Sequence, residues 1–411
     1  MGVKILTWNV DGIRSLYKDD ASIREGLESL DADIICFQET KISRNQLDKK
    51  FAVIDGYSSY FGFPRSETGH SGAVTYCKES VTPFCAEGGL SGLVTVDADD
   101  IIGSYGNIRT EFSKRELKEL ALEGQAVITL HKIQMKEKML AVINVCCPSD
   151  DTDKKKGLQR KERFYQLLQI RATTLKEKGY FVIVVGDLNI GHKPIDYYDP
   201  SQEEDFESNP CRRWLDRIIF DLDPKDISNG YCETTFLIDA FRFIHPTEEN
   251  VYTYWSSNLD ARANNFGSRL DYLLVDKRLF AEIDDCIIMS TVQGSDHCPV
   301  KLIINIEVIP APNCPSFSKR YYPEFSGTRR KVVKDETDDV PKRQNESSMD
   351  ESLTEKKRKI GIEGYVIKLT NSRGDMSGES SLSERSLQES SSQSSGEIST
   401  PNTEHQGKYF S

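Results

Sequence analysis

Polar side chains follow three apolar runs of the sequence, at the point where each run ends. The first run ends in Trp8-Asn9-Val10-Asp11-Gly12 and the second in Gln38-Glu39-Thr40-Lys41. The most apolar run, residues 181–185, ends in Gly186-Asp187-Leu188-Asn189. Because ligand groups collect at the carboxyl ends of buried strands, we expect these carboxylates and amides to lie at one rim and to converge on a ligand.

Two later segments add carboxylates and an imidazole ahead of apolar runs. They are Ser268-Arg269-Leu270-Asp271-Tyr272 and Gly294-Ser295-Asp296-His297. Carboxylates crowded together raise each other's pKa unless a cation lies among them. Oxygen ligands of this kind suit Mg²⁺ or Mn²⁺, which bind substrate phosphate. A single Asp after a strand is more often a turn residue, and a lone histidine is more often structural, so the ordered set carries this prediction.

The elements that must position these groups are predicted from short apolar runs that recur up to about residue 310. The runs are rich in β-formers and predict strands buried on at least one face, over residues 3–8, 34–37, 73–77, 126–130, 139–147, 181–185, 272–275 and 302–306. Helices are predicted over residues 23–30, 113–122 and 160–178. A mixed α/β sandwich is the economical architecture.

Beyond roughly Pro310 the chain becomes charged, serine-rich and poor in apolar residues. Such a segment buries too little apolar surface to offset the entropy of ordering, so we expect a folded domain over residues 1–310 and a disordered tail over residues 311–411. In the tail, Lys356-Lys357-Arg358-Lys359 and Arg329-Arg330-Lys331 resemble nuclear-import signals, with ordinary charge clusters as the alternative. We expect a nuclear location, with cytoplasm and mitochondrion left open.

The formal net charge of −12 argues against a protein that coats nucleic acid regardless of sequence, so any such contact must be local. Basic side chains that could provide it, or could equally be solvated surface charge, are Arg14, Lys41, Arg65, Lys154, Lys155, Lys156, Arg160, Lys161, Arg212 and Arg213. The ten cysteines form no C-x-x-C pair and are expected to be reduced packing residues. No apolar run approaches the about 20 residues of a membrane span, and no secretory signal is evident.

The ordered motifs W-N-x-D-G, Q-E-T-K, G-D-L-N, R-L-D-Y and S-D-H resemble the endonuclease/exonuclease/phosphatase superfamily over residues 1 to about 307. The residues within each motif are similar to those of the exonuclease III family, which cleaves DNA at apurinic or apyrimidinic (AP) sites. The resemblance implies a four-layer α/β sandwich, with two packed β-sheets flanked by helices. It also implies a metal-dependent phosphodiesterase of base excision repair that acts on double-stranded DNA with abasic sites or 3′ ends.

Three segments look like the AP endonuclease 2 branch of that family. They are Ile190-Gly191-His192-Lys193-Pro194-Ile195-Asp196, residues 163–171 and Gly267-Ser268-Arg269-Leu270-Asp271. The main AP endonucleases carry a tryptophan where this chain has Ser268, in the pocket for the flipped-out abasic sugar. The resemblance therefore implies weaker AP-site cleavage and relatively stronger 3′-to-5′ exonuclease and 3′-end cleaning.

The resemblance also implies roles for single residues. Glu39 and Asp296 would hold Mg²⁺ or Mn²⁺ with Asn9 nearby. Asp187 would position and deprotonate the attacking water, and Asn189 would fix Asp187 and the phosphate. The metal-site candidates are Asn9, Glu39, Asp187, Asn189, Asp296 and His297.

Asp271 is expected, by the same resemblance, to hydrogen-bond His297 and to favour an imidazolium that contacts the phosphate. The catalytic candidates are Asp187, Asn189, Asp271, His297 and Cys146. The residues expected to contact DNA are Arg14, Lys41, Tyr254, Ser268 and Arg269. The expected product is a 3′-hydroxyl that a polymerase can extend.

Two positions depart from the family pattern. Cys146 stands where the family places a tyrosine, and Ser149 replaces the asparagine of the main branch. A thiol is shorter and a poorer hydrogen-bond donor than a phenol. Loss of one transition-state donor typically costs about 10²–10³ in rate, so we predict reduced turnover rather than none.

Two other functions remain open at this stage. Relatives with the same metal rim act on phosphoinositides, sphingomyelin or RNA, and fold alone does not choose between these substrates. A poorly active scaffold for repair partners is the third hypothesis, which Cys146 and the long tail favour.

The AP endonuclease 2 branch usually carries a sliding-clamp-binding box and a C-terminal zinc module. After Cys298 this sequence has only Cys314, so we expect no zinc module. Lys408-Tyr409-Phe410 resembles the paired aromatics of a clamp-binding box, although Thr403 and Gln406 do not match its other positions.

Overall fold

β-strands form the centre of the protein, whose computed structural model describes residues 2–17, 20–63, 71–93, 102–123, 125–149, 154–202, 206–220, 235–257 and 260–312. In chain order the strands are β1 (Val3–Asn9), β2 (Ile34–Gln38), β3 (Tyr57–Gly62), β4 (Ala73–Lys78), β5 (Cys85–Gly88), β6 (Gln125–Ile133), β7 (Met139–Cys146), β8 (Phe181–Asp187), β9 (Leu237–Asp239), β10 (Tyr254–Trp255), β11 (Gly267–Ser268), β12 (Asp271–Asp276), β13 (Ile283–Ile288), β14 (Val300–Ile304) and β15 (Val308–Ile309).

These strands form two large sheets and one short hairpin. The first sheet has the order β13-β14-β1-β2-β4-β3, and the second has the order β15-β6-β7-β8-β12-β9 with β5 paired to β6. Strands β10 and β11 pair with each other, and single β-bridges join Tyr254 to His297 and Ser268 to Tyr197. Each large sheet contains one parallel pair, β1 with β2 and β7 with β8, and these two pairs carry the functional groups at their carboxyl ends.

The helices are α1 (Ile13–Leu16), α2 (Asp20–Ser29), α3 (Lys49–Ala52), α4 (Ile108–Glu111), α5 (Lys114–Glu123), α6 (Lys154–Glu177), α7 (Pro210–Ile218) and α8 (Ala240–Ile244). They cover the outer faces of both sheets, except α8, whose Ala240 and Phe241 pack in the core between the sheets. Short 3₁₀ helices span Arg44–Gln46, Glu79–Val81, Met135–Glu137, Pro194–Asp196, Pro200–Gln202 and Lys277–Glu282. No helix in the described ranges is long and apolar enough to cross a membrane.

Alternation of side chains along β8 produces the layers. Ile183 and Val185 pack against the first sheet, whereas Val182 and Val184 pack against the outer helices. Every residue of β8 is buried, because both faces of this strand are covered. Burying one such side chain is worth about 1.5–3 kcal/mol, so these interfaces hold the sheets in place. The predicted four-layer α/β sandwich is confirmed.

All eight predicted strands and all three predicted helices occur, with shifted ends. The last predicted strand, residues 302–306, begins two residues earlier as β14. Strands β3, β5, β9, β10, β11, β13 and β15 and helices α1, α3, α4, α7 and α8 were not predicted. Strand β13 reads Ile-Asp-Asp-Cys-Ile-Ile, and its polar residues obscure the apolar pattern. Arg65 and the predictions for the tail from residue 313 onward lie outside the described residues. The domain boundary at residue 310 stays a prediction.

Candidate active site

The rims of the two sheets meet where the polar motifs were predicted to lie. In the first sheet, β1 and β2 run parallel and end side by side at Asn9 and Gln38. In the second, Asp187 at the end of β8 lies between Cys146 at the end of β7 and Asp271 at the start of β12. Strand register therefore brings groups from distant parts of the chain to one place.

The Asn9 side chain links the two sheets. Its Nδ2 donates to Glu39 Oε1 at 3.1 Å and to Asp187 Oδ2 at 2.9 Å. Glu39 has a φ of 48° and Asn189 a φ of 53°, in the left-handed region that non-glycine residues seldom adopt. Backbone of this kind persists where the surroundings enforce it, and it clusters at functional sites.

Asp187 lies at the centre of the site and is 1% exposed. Its Oδ1 accepts from the backbone N–H of Asn189 at 2.8 Å, and its Oδ2 accepts from Asn189 Nδ2 at 3.1 Å. Burial raises the pKa of Asp187 to about 7, with His297 lowering it and Asp271 raising it further. A carboxylate tuned in this way is suited to accept a proton near neutral pH.

His297 and Asp271 form a buried pair beside Asp187. His297 Nδ1 lies 2.7 Å from Asp271 Oδ2, and its Nε2 lies 3.8 Å from Asp187 Oδ2. Burial alone would lower the pKa of His297, but the carboxylates of Asp271 and Asp187 raise it to about 10. The imidazole is therefore protonated at neutral pH and points a charged N–H into the site.

The Cys146 thiol occupies the same rim. One ligand atom each of Glu39, Cys146 and Asp187 lie within 4.8 Å of one another, and so do those of Asp187, Asp271 and His297. Burial raises the pKa of Cys146 well above its usual value, and the neighbouring carboxylates add to this effect. Without a cation beside it, the group is a neutral thiol.

The β10–β11 hairpin forms one wall of the site. Tyr254 lies opposite Ser268 in this hairpin, and its ring centroid is 4.8 Å from that of His297. Gly267 is required here, because an added Cβ would lie 2.7 Å from the backbone oxygen of Tyr254. The small Ser268 is half-buried and is paired with Tyr254, the residue whose ring contacts His297.

Asp296 lies next to His297, and its Oδ1 is 3.2 Å from Ser295 Oγ, which donates to it. Among the described residues, it is in neither of the three-residue groups of convergent ligand atoms. Lys41 contacts Asp11, and its Nζ lies 3.6 Å from Glu39 Oε2. Lys41 is therefore at the rim.

Arg14 is exposed and donates to the backbone oxygen of Gln46. Its Nε lies 3.4 Å from Asp48 Oδ2. The guanidinium is thus at the surface, where an anion can reach it.

Arg269, which was predicted to contact DNA, is buried and paired with carboxylates, so the contact stays a prediction. Its side chain is 1% exposed, and its guanidinium donates to Asp196 at 2.8 Å and to Asp239 at 2.6 Å. Two other basic residues considered for nucleic-acid contact are also buried. Lys161 donates to the backbone oxygen of Asn189 at 2.7 Å, and Arg212 donates to that of Gly191 at 2.9 Å. These cations stabilise the loop after β8 instead.

Sequence reasoning missed the polar groups beneath the rim. Gln38 Nε2 donates to Asn144 Oδ1 at 2.8 Å, which joins the two sheets behind Asn9. Thr253 Oγ1 accepts from the backbone N–H groups of Leu270 and Asp271 at 2.9 and 3.1 Å. The available signal was an asparagine inside the apolar run of β7, because a buried amide needs partners.

Comparisons with known proteins agree with this geometry. A sequence model of the Endonuclease/Exonuclease/phosphatase family matches residues 6–297. The chain belongs to this family. The expected resemblance to its AP endonucleases is confirmed by relatives and by a solved structure.

The family relatives include DNA-(apurinic or apyrimidinic site) endonuclease 2 of Xenopus laevis, 43% identical over 343 residues, which are 80% of this chain and 65% of the relative. The chain thus spans just under two thirds of that relative's length. An exodeoxyribonuclease of Bacillus subtilis is 29% identical over 74% of this chain and 100% of the relative. The crystal structure of the Xenopus laevis APE2 catalytic domain matches with a TM-score of 0.70 and 42% identity, over 80% of this chain and all of that one.

Proposed function

We propose that this protein hydrolyses DNA phosphodiesters with the help of a divalent cation, at abasic sites and at 3′ ends. The observation that carries the proposal is the position of buried Asp187 between Glu39 and the Asp271–His297 pair. The named relatives support the choice of DNA, since they include an AP endonuclease 2 and an exodeoxyribonuclease. Hydrolysis would leave a 3′-hydroxyl.

The donor set suits a hard cation. Glu39 and Asp296, with Asn9 nearby, would hold Mg²⁺ or Mn²⁺, because both ions prefer oxygen ligands. In addition, Asp271 Oδ1 is buried and lacks a hydrogen-bond partner among the described residues. When bound, the cation would supply charge neutralisation on the phosphoryl oxygens.

The residues of the chain supply the rest of the chemistry. Asp187 accepts the proton of the attacking water, while Asn9 and Asn189 keep its carboxylate in a fixed orientation. Protonated His297 donates a hydrogen bond to a phosphoryl oxygen and so stabilises the charge that develops there. Asp271 positions the imidazole through the 2.7 Å contact.

The β10–β11 hairpin determines which cleavage is favoured, and Cys146 affects the rate. Ser268 replaces the tryptophan of the sugar pocket, so AP-site cleavage is weaker than 3′-end removal. Tyr254 provides the aromatic wall for the terminal nucleotide. Cys146 provides no phenolic donor, and turnover is lowered accordingly.

DNA is gripped at the edges of the site. Arg14 and Lys41 contact phosphates, because Lys41 lies beside Glu39 at the rim and Arg14 is an exposed residue of α1, which follows the Asn9 end of β1. Arg269 positions the hairpin from below. The basic segments Arg329-Arg330-Lys331 and Lys356-Lys357-Arg358-Lys359 of the sequence direct the protein to the nucleus, and Tyr409-Phe410 binds the sliding clamp.

A substrate panel tests the proposed function. Two labelled duplexes, one with a central abasic site and one with a recessed 3′ end, are incubated with Mg²⁺ or with EDTA, beside RNA and inositol phosphates. We expect metal-dependent cleavage of the duplexes, faster at the recessed end, and loss of both products in Asp187→Ala. Turnover of RNA or inositol phosphate alone would refute the assignment to DNA. If no substrate is turned over, the nuclease proposal fails and the scaffold hypothesis is the one that remains.

A further inference from the structure

Cys146 places a thiol, which is a soft metal ligand, next to carboxylates, which are hard metal ligands. Its sulfur and single carboxylate oxygens of Glu39 and Asp187 lie within 4.8 Å of one another. Two of the three ligands are fixed in register, because Cys146 and Asp187 are directly paired residues of adjacent strands. The third, Glu39, is tied to Asp187 through the Asn9 amide, which donates to both carboxylates.

The thiol is available for a ligand. Cys146 is 4% exposed, and within the described ranges its sulfur makes one polar contact, 4.0 Å from the backbone oxygen of Cys147. That distance is at the outer limit for a hydrogen bond to sulfur, so only a weak hydrogen bond is lost when the thiol turns toward the carboxylates. A cation would satisfy a buried polar group that has one weak partner and lies within 4.8 Å of two carboxylate oxygens.

We propose that Glu39, Cys146 and Asp187 form a zinc-binding site, in which Zn²⁺ competes with the hard cation at the rim. Zn²⁺ binds thiolate sulfur at about 2.3 Å and carboxylate oxygen at about 2.0–2.2 Å, which sets tetrahedral ligands about 3.5 Å apart. The three atoms need to approach by about 1 Å from their 4.8 Å limit. Three protein ligands leave the fourth position open for water or phosphate.

Ligand chemistry favours zinc over magnesium once sulfur is included. Thiolates select Zn²⁺, whereas Mg²⁺ prefers oxygen ligands. The thiol proton leaves to solvent as the metal binds. Because Asp187 becomes a zinc ligand, it no longer accepts the proton of the attacking water, and zinc inhibits. Only this inhibition rests on the proposed function; binding itself does not.

A cobalt titration of the full chain tests the site. Co²⁺ replaces Zn²⁺ and gives a thiolate-to-cobalt charge-transfer band when sulfur is a ligand. We expect the band in the unmodified protein and in Cys147→Ser, which changes the adjacent buried thiol, and its loss in Cys146→Ser. An equimolar amount of Zn²⁺ should displace Co²⁺ and abolish the band, whereas excess Mg²⁺ should leave the band unchanged. The affinity for Zn²⁺ should fall by about 10²-fold or more in Cys146→Ser.

The outcomes separate this proposal from the nuclease. A band that persists in Cys146→Ser, or no band in the unmodified protein, overturns the zinc site whatever the duplex assay shows. A Cys146-dependent band together with failure to cleave any duplex supports the zinc site and refutes the nuclease. If duplexes are cleaved, Zn²⁺ should inhibit the unmodified protein and Cys147→Ser more strongly than Cys146→Ser.

Discussion

The buried carboxylate of Asp196 should be worth several kcal/mol of stability. It accepts from the guanidinium groups of Arg269 and Arg242, at 2.7–3.1 Å, and from the backbone N–H groups of His192 and Lys193. Asp196 is fully buried. Replacing it with asparagine keeps the size of the side chain but removes its charge. Breaking a buried ion pair in this way typically costs about 3–5 kcal/mol.

We expect the lower end of this range for Asp196→Asn, because neither arginine is left as a fully buried, unpaired charge. Arg269 keeps its contact with Asp239 at 2.6 Å, and the Arg242 side chain is 12% exposed to water. Urea unfolding of Asp196→Asn should therefore show a free energy of unfolding lower by about 3 kcal/mol, a fall of about 1 M in the midpoint. The matched control, Asp284→Asn, changes an exposed carboxylate and should stay within about 0.5 kcal/mol.

The pH dependence gives a second check. Burial alone would raise the pKa of Asp196, but the Arg269 and Arg242 charges hold it well below its usual range. The carboxylate therefore contributes its full stability above the unfolded pKa of about 3.9, and this contribution falls as pH drops toward the lowered folded pKa. The gap between the unmodified protein and Asp196→Asn should be constant at neutral pH and shrink below about pH 4. Equal midpoints for Asp196→Asn and Asp284→Asn would refute this reasoning.

Three further substitutions test other parts of the site. Cys146→Tyr restores a phenolic donor and should raise the single-turnover rate on a recessed duplex by up to about 10²-fold; an unchanged or lower rate would count against the assignment. Gly186→Ala should destabilise the protein by about 3 kcal/mol or more, since an added Cβ would lie 1.8 Å from Val145 O and φ is 139°; a thermal melt like that of the unmodified protein would contradict this. Asp271→Asn removes one of the carboxylates that, against the effect of burial, together raise the pKa of His297 to about 10. The alkaline limb of the pH–rate profile should then move to lower pH, and an unmoved limb would show that the reaction does not need protonated His297.

Much of the fold was predictable because many strands of the two sheets are short, contiguous apolar segments of the sequence. Strand β8 is covered on both faces and reads as an unbroken apolar segment, so its existence and its polar ending at Asp187 were predicted. Strand β13 was missed, because it is buried on one face only and carries two aspartates. Partner strands and their register depend on contacts far along the chain, which periodicity does not report.

Less of the candidate site than of the fold could be predicted from the sequence. The cluster of carboxylates was predictable from residues that follow strands. Whether a basic residue faces solvent was not, because Arg269 and Lys161 look like surface charges in the sequence but have buried acceptors. The amide pair of Gln38 and Asn144 was missed for the same reason, since its partners come from separate strands.

The most direct test of the account is the single-turnover cleavage of a recessed duplex by Asp187→Asn in Mg²⁺. The change keeps the shape of the side chain and removes the group that accepts the proton of the attacking water. DNA affinity is measured in EDTA by fluorescence anisotropy, and the melting temperature is measured alongside, so that binding and folding are checked separately. We expect a rate lower by about 10⁴-fold with both controls near those of the unmodified protein. A rate within about tenfold of the unmodified protein would contradict the assignment of Asp187 as the base.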